Sequence, residues 1–201
     1  MKITSLVYDG FDELDGVGPY ETFAKGAEEG ADLTVSLATL DGDATVTASH
    51  GLRLAPDGVL SDSQPDLIVV PGGGWNTQDG TGAWAEAERG DVLAALTDAY
   101  ANGTTLAGVC TGGMLLARAG LLDGRPATTH GGAKSELEAY AGEVVDARVV
   151  DDGDVLTAGG VTSGLDLALH VLDREFGTAV AERVATRLEY EPRGHVYRTE
   201  R

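Results

Sequence analysis

Short apolar runs alternate along this chain with longer amphipathic stretches. Residues 3–8 read as a buried strand, and residues 16–29 carry Val17, Tyr20, Phe23, Ala24 and Ala27 at the spacing of one helix face. Residues 33–40 alternate as a strand and stop at Asp41-Gly42-Asp43, after which residues 46–54 suit a hairpin. Residues 67–70 are wholly apolar and end in Pro71-Gly72-Gly73-Gly74; residues 91–101 form a helix and residues 104–109 a further buried strand. A helix-forming run, 114–118, follows it. Then come a helix over 134–141, a hairpin over 148–158 around Asp151-Asp152-Gly153, and helices over 165–176 and 179–188. Strands interleaved with helices predict one α/β domain, a doubly wound, mostly parallel sheet with helices on both faces. Ligands of such sheets lie beyond the carboxyl ends of the strands. That places four loops in view: residues 9–19, 71–77, 108–112 and 128–132.

Composition narrows the class. The 201 residues suit a single domain, and 42% of them are hydrophobic, with no internal repeat or linker. No apolar run is long enough for a membrane span, and the N-terminal residues show no signal-peptide pattern. Acidic residues number 33 against 14 basic ones, a net charge of −19. The acids are spread along the chain, and only Lys2, Lys25 and Lys134 are lysines, a composition like that of proteins from salt-loving organisms. With no basic patch to neutralise phosphates, nucleic acid is not an expected partner. One cysteine allows no intramolecular disulfide and no cysteine-based metal cluster, and the expected compartment is the cytoplasm.

That cysteine, Cys110, stands in Gly108-Val109-Cys110-Thr111-Gly112 between a predicted strand and a predicted helix. A turn of this kind lifts one side chain over the sheet and aims it at the first amides of the next helix. Those amides and the helix dipole favour a thiolate, so a lowered thiol pKa is expected here; the plain alternative is a buried small hydrophobe. Asp15, at the start of the first helix, is either a stabilising N-terminal acid or a carboxyl bonded to the Cys110 sulfur. Gly73 and Gly74, after the strand end, offer amides that with the Thr111 amide suit an oxyanion hole, and Trp75 either walls a pocket or covers core. His130, in Thr128-Thr129-His130-Gly131, is a candidate base. His50, His170 and His195 read as loop, helix-core and tail positions, with no spacing that suggests a metal site.

Together, Asp15, Pro71-Gly72-Gly73, Gly108 to Gly112, Thr128-Thr129-His130 and the stretch 157–166 resemble the ThiJ/PfpI superfamily, most closely its isonitrile hydratase branch. The resemblance runs from Ile3 to about Pro192, leaving residues 193–201 as a short tail after a domain over 1–192. It implies a flavodoxin-like fold and a homodimer with its elbow near the subunit interface. The branch's catalytic cysteine, threonine and aspartate map onto Cys110, Thr111 and Asp15, and the superfamily's oxyanion amides onto Gly73 and Thr111. The implied reaction hydrates a small electrophile, an isonitrile becoming an N-substituted formamide, with no cofactor. Other activities of the superfamily, on α-oxoaldehydes or as a cysteine-based stress sensor or chaperone, are the alternatives, with a small-molecule-binding regulator beyond them. Thr111 stands where the protease branch has histidine, so peptidase activity is not expected, and the regulators' DNA-binding helices have no counterpart in the sequence. Gly131 replaces a tryptophan common in the hydratase branch.

Overall fold

The computed structural model describes residues 1–78 and 80–199. Strand β1 (Lys2–Leu6) leads through helix α1 (Glu13–Glu28) to β2 (Thr34–Thr39). A two-stranded hairpin, β3 (Val46–Thr47) and β4 (Arg53–Leu54), precedes β5 (Gly58–Val59), the single turn α2 (Leu60–Ser63) and β6 (Leu67–Val70). Helices α3 (Ala83–Arg89) and α4 (Asp91–Ala101) lead to β7 (Thr105–Val109) and α5 (Gly112–Arg118). A small pair, β8 (Pro126–Ala127) and β9 (Glu143–Val144), flanks the one-turn α6 (Lys134–Leu137). The chain ends in β10 (Val149–Asp151), β11 (Val155–Ala158), α7 (Ser163–Phe176), α8 (Thr178–Arg187) and β12 (Val196–Arg198).

The main sheet has the order β12-β10-β11-β7-β6-β1-β2-β5. Pairing is parallel from β5 across to β11, and β10 turns back antiparallel to β11. This is the doubly wound, mostly parallel architecture that the alternation of runs predicts. Along β6, Ile68 and Val70 enter one apolar cluster while Leu67 and Val69 enter the other, the period-two alternation of a strand buried on both faces. One face is covered by α1, α7 and α8, the other by α3, α4 and α5. The winding reverses at β1, which lies between β2 and β6, so the crevice opens at the carboxyl ends of β1, β6 and β7.

Close packing of α1 on α7 uses small residues: a Cβ on Gly26 would come within 2.6 Å of Leu172 Cδ2. Several elements differ from the sequence reading, three of them near the site or the sheet edge. The helix expected over 134–141 is one turn, Lys134–Leu137, entered through a 3₁₀ turn at Gly131–Ala133. Helix α3 follows a glycine-rich stretch that carries no helix signal. Residues 196–198, set apart as tail, add a strand beside β10 with Val196 opposite Val149. Among the described residues no helix is long and apolar enough to cross a membrane.

The α1–α7 contact makes a stability test. Gly26→Leu is expected to lower folding stability by about 3 kcal/mol, the upper end of overpacking costs. A urea midpoint within error of the parent would show that the helices separate without penalty.

Candidate active site

Three loops meet beyond the strand ends, and Gly72 joins them. Its N–H donates to Asp15 Oδ2 at 3.0 Å, and its carbonyl accepts the Asp12 N–H at 2.8 Å. A Cβ here would overlap the Thr111 hydroxyl and amide, so only glycine lets the β6 loop lie this close to the elbow. The next residue continues the connection: Gly73 N–H donates to Thr111 Oγ1 at 3.0 Å. Tyr8, just past β1, is buried and donates its hydroxyl to the Pro71 carbonyl.

The elbow has the shape its glycines predict. Cys110 sits at φ +56°, a left-handed conformation that a side-chain-bearing residue adopts at a cost of about 1–3 kcal/mol. A Cβ on Gly112 would run into the Val70 carbonyl, so the helix can begin there only with glycine. The backbone holds the strain in place. Cys110 N–H donates to the Ala158 and Gly159 carbonyls at 3.1 and 2.9 Å, and Thr129 Oγ1 donates to the Cys110 carbonyl at 2.8 Å. Val161, a β-branched residue at φ +23°, is a second strained position and points its N–H at the sulfur, as Thr111 does. The sequence carries no sign of Val161's role, because positive φ at valine follows from the surrounding loop and not from the residue.

Asp15 is fully buried, and its other oxygen, Oδ1, has no well-formed hydrogen bond. Burial, and next the charge of Asp12, push its pKa up to about 8, against the lowering effects of the Gly72 N–H and of its hydrogen bond with Cys110. The thiol moves the same way. Burial and then the charge of Asp15 push Cys110 up to about 12, more than the Val161 and Thr111 amides lower it. The thiolate expected from the helix N-terminus is therefore corrected: around neutral pH the pair is a carboxylic acid beside a thiol. Removing a charge from water outweighs two amide bonds here.

The remaining candidates separate. Asp15, Cys110, Thr111 and Gly73 meet at one place, with the Gly73 amide engaged by the Thr111 hydroxyl and the Thr111 amide by the sulfur. Gly74 lies against the Thr81 backbone instead. Trp75 does not wall a pocket. The residue is 2% exposed, its ring edge-on to Trp84 at 5.2 Å, with Nε1 donating to Glu136. His130 stands beside the elbow, its ring edge against Gly160 and its Nδ1 accepting the Gly132 N–H at 3.1 Å, and none of the described hydrogen bonds joins it to Cys110. His170 is a core residue bonded to Asp151, as its helical position suggests.

Comparison with known proteins identifies the family. The profile of the DJ-1/PfpI family matches residues 1–174. An isonitrile hydratase of Pseudomonas putida is 35% identical over 193 residues, covering 96% of this chain and 79% of that protein. A Parkinson disease protein 7 homolog of Danio rerio is 29% identical over 186 residues, covering 89% and 92%. The crystal structure of a ThiJ/PfpI family protein from Pseudomonas syringae superposes with a TM-score of 0.83 at 29% identity, over 96% of this chain and 76% of that one.

The buried acid has a thermodynamic signature. A carboxyl whose folded pKa is raised holds its proton in the folded state, so its contribution to stability is full below about pH 4 and is lost as pH rises through about 8. Asp15→Asn removes that dependence. The stability difference between Asp15→Asn and the parent is expected to rise in the variant's favour from pH 5 to pH 9, read from urea titrations at each pH. A flat difference would mean that Asp15 ionises inside the fold as easily as in water.

Proposed function

The chain belongs to the DJ-1/PfpI family, and from that membership we propose that it hydrates a small electrophile, converting an isonitrile to an N-substituted formamide. One observation carries the reading: a buried carboxyl, held protonated, beside the chain's single thiol on a strained elbow. The enzymatic relative from Pseudomonas putida supports the choice of substrate class.

The terminal carbon of an isonitrile accepts a nucleophile and a proton at the same atom. The Cys110 sulfur attacks that carbon as Asp15 delivers its proton there, and the proton lost from sulfur replaces the one Asp15 gave. The C–S bond forms, the triple bond becomes a C=N double bond, and a thioimidate results. Asp15 then gives its proton to the C=N nitrogen and takes one from the water whose oxygen adds to carbon. In the collapse it gives that proton to sulfur as the C–S bond breaks and takes the hydroxyl proton as the formamide C=O forms. Water and isonitrile are consumed, formamide is released, and no electrons are exchanged. A carboxyl serves both as acid and as base when its pKa lies near the working pH. Thr111 Oγ1 accepts from Gly73, which leaves its hydrogen to orient the substrate or the water. Thr111 in the position after the cysteine supplies no second base, which argues against peptide hydrolysis.

A panel of isonitriles and α-oxoaldehydes tests the assignment. Formamide should appear from isonitriles; turnover of methylglyoxal with no action on cyclohexyl isocyanide would replace this reading with a glyoxalase type. Cys110→Ala is expected to abolish turnover in a folded protein, and Asp15→Asn to slow it by at least about 100-fold, the scale of general acid–base catalysis. Because the acid form is required, kcat/KM should fall as pH rises past about 8. A rate that climbs through that pH would point to a free thiolate as the working form.

A further inference from the structure

The crevice has a charged rim that the reaction above leaves unused. Asp12, Glu13 and His50 each bring one polar atom within 4.8 Å of the others. Glu13 is the anchor. Its Oε1 accepts the His50 N–H at 2.7 Å, while Oε2 accepts from Ser49 Oγ at 3.0 Å and meets His50 Nδ1 at 2.7 Å. Ser49 N–H also donates to the Phe11 carbonyl at 2.9 Å, so the tip of the β3–β4 hairpin is fastened to the start of α1. Glu13's partial burial acts to raise its pKa, yet the bonds from His50, Ser49 and the backbone hold it at about 2. His50 responds in the opposite sense, raised by its hydrogen bond to Glu13 and by the charges of Glu13 and Asp12.

Asp12 lies on the inner side of this rim. It caps α1, its Oδ1 accepting the Leu14 N–H at 3.2 Å, and it is half-buried. Asp12 and Asp15 are three residues apart at the helix start, the spacing at which side chains face one another. Gly72 holds the backbone of Asp12 through its carbonyl and the carboxyl of Asp15 through its N–H, while the Leu14 N–H holds the Asp12 carboxylate at the helix start. The other groups facing Asp15 are Cys110 from the elbow and Tyr8 from the end of β1, and burial raises the pKa of each, which keeps both uncharged. Asp12 is thus the charge that acts on Asp15, and His50, whose proton Glu13 and Asp12 hold more tightly, stands beside Asp12.

We propose that Asp12 and His50 are positioning residues that govern the proton on Asp15 in opposite directions. The Asp12 carboxylate keeps it there, and His50 when protonated, clamped beside Asp12 by Glu13, loosens it. The hairpin tip thereby links a solvent-facing histidine, its side chain 78% exposed, to the acid at the bottom of the crevice. Two unit charges several Å apart across partly screened protein interact strongly enough to change proton affinity measurably. The inference rests on Asp15 being the proton carrier proposed above, and its test has a readout independent of turnover.

Infrared spectroscopy, taken as a difference against Asp15→Asn, follows the Asp15 carboxyl directly in the full-length protein. Asp12→Asn keeps an N-cap acceptor, and His50→Ala changes an exposed loop residue, so both variants are suited to fold. Asp12→Asn is expected to weaken proton binding at Asp15 at least about twofold, and His50→Ala to strengthen it at least about twofold, the scale of a screened charge pair. Equal shifts, shifts of one sign, or no shift in either variant overturns the inference. The pH dependence of kcat/KM, measured in parallel, separates the two readings. Infrared midpoints that move apart while the rate profiles stay together leave the rim's action standing and remove Asp15 from the chemistry.

Discussion

The N–H of Gly72 on the Asp15 carboxyl is the contact that the site is built around. It ties the first turn of α1 to the loop after β6, and through Gly73 and Thr111 the same loop is tied to the elbow after β7. Three segments far apart in sequence are thereby held within one hydrogen bond of each other, although two of them are loop or turn at the point of contact. The sheet supplies the platform: parallel β1, β6 and β7 end side by side, so their loops emerge on one edge. Removing the side chain at position 72 is what makes the approach possible, since any Cβ would displace Thr111.

Holding an acid and a thiol together in a buried place decides their charge state. A desolvated ion is disfavoured by several kcal/mol in real proteins, whereas a hydrogen bond to a charged group returns about 1.5–3 kcal/mol. Two amides on the sulfur and one on the carboxyl do not close that gap, and each group's charge opposes the other's. The pair therefore keeps its protons, and the sulfur becomes nucleophilic only as a proton leaves it. That favours a reaction in which attack and proton transfer happen at the same carbon, and disfavours one that needs a standing thiolate.

The parts of this arrangement legible in the sequence are those with short-range causes. Gly108 and Gly112 around Cys110 mark a strand-to-helix turn because the close approach of backbone admits nothing larger, and the hairpins at 46–54 and 148–158 announce themselves through alternation and turn residues. The thiol's protonation was not legible. The helix start after it points toward a thiolate, and only the three-dimensional enclosure, 6% exposure at Cys110, reverses the sign. Trp75 follows a glycine run that suggests a pocket wall, but its ring turns inward to Trp84 and Glu136, a choice made by α3 and α6, elements whose contacts no local pattern specifies. Asp15 stood out from the other acids only through family resemblance, since a helix-start aspartate is ordinary and its burial comes from α1 packing over the sheet.

Thr111 shows how one substitution at the elbow constrains all the chemistry. A histidine following the cysteine would bring its own base, leaving the N-terminal acid free to stay charged or structural. The threonine hydroxyl instead accepts the Gly73 amide, so it orients and does not titrate. His130 is turned to its own loop at Gly132. In the reaction proposed above the proton traffic at Cys110 falls to Asp15, and a single carboxyl that must both give and take a proton works best with a pKa near ambient pH. Burial sets that value coarsely, and under our proposal the charges around the start of α1 adjust it without touching the reacting atoms.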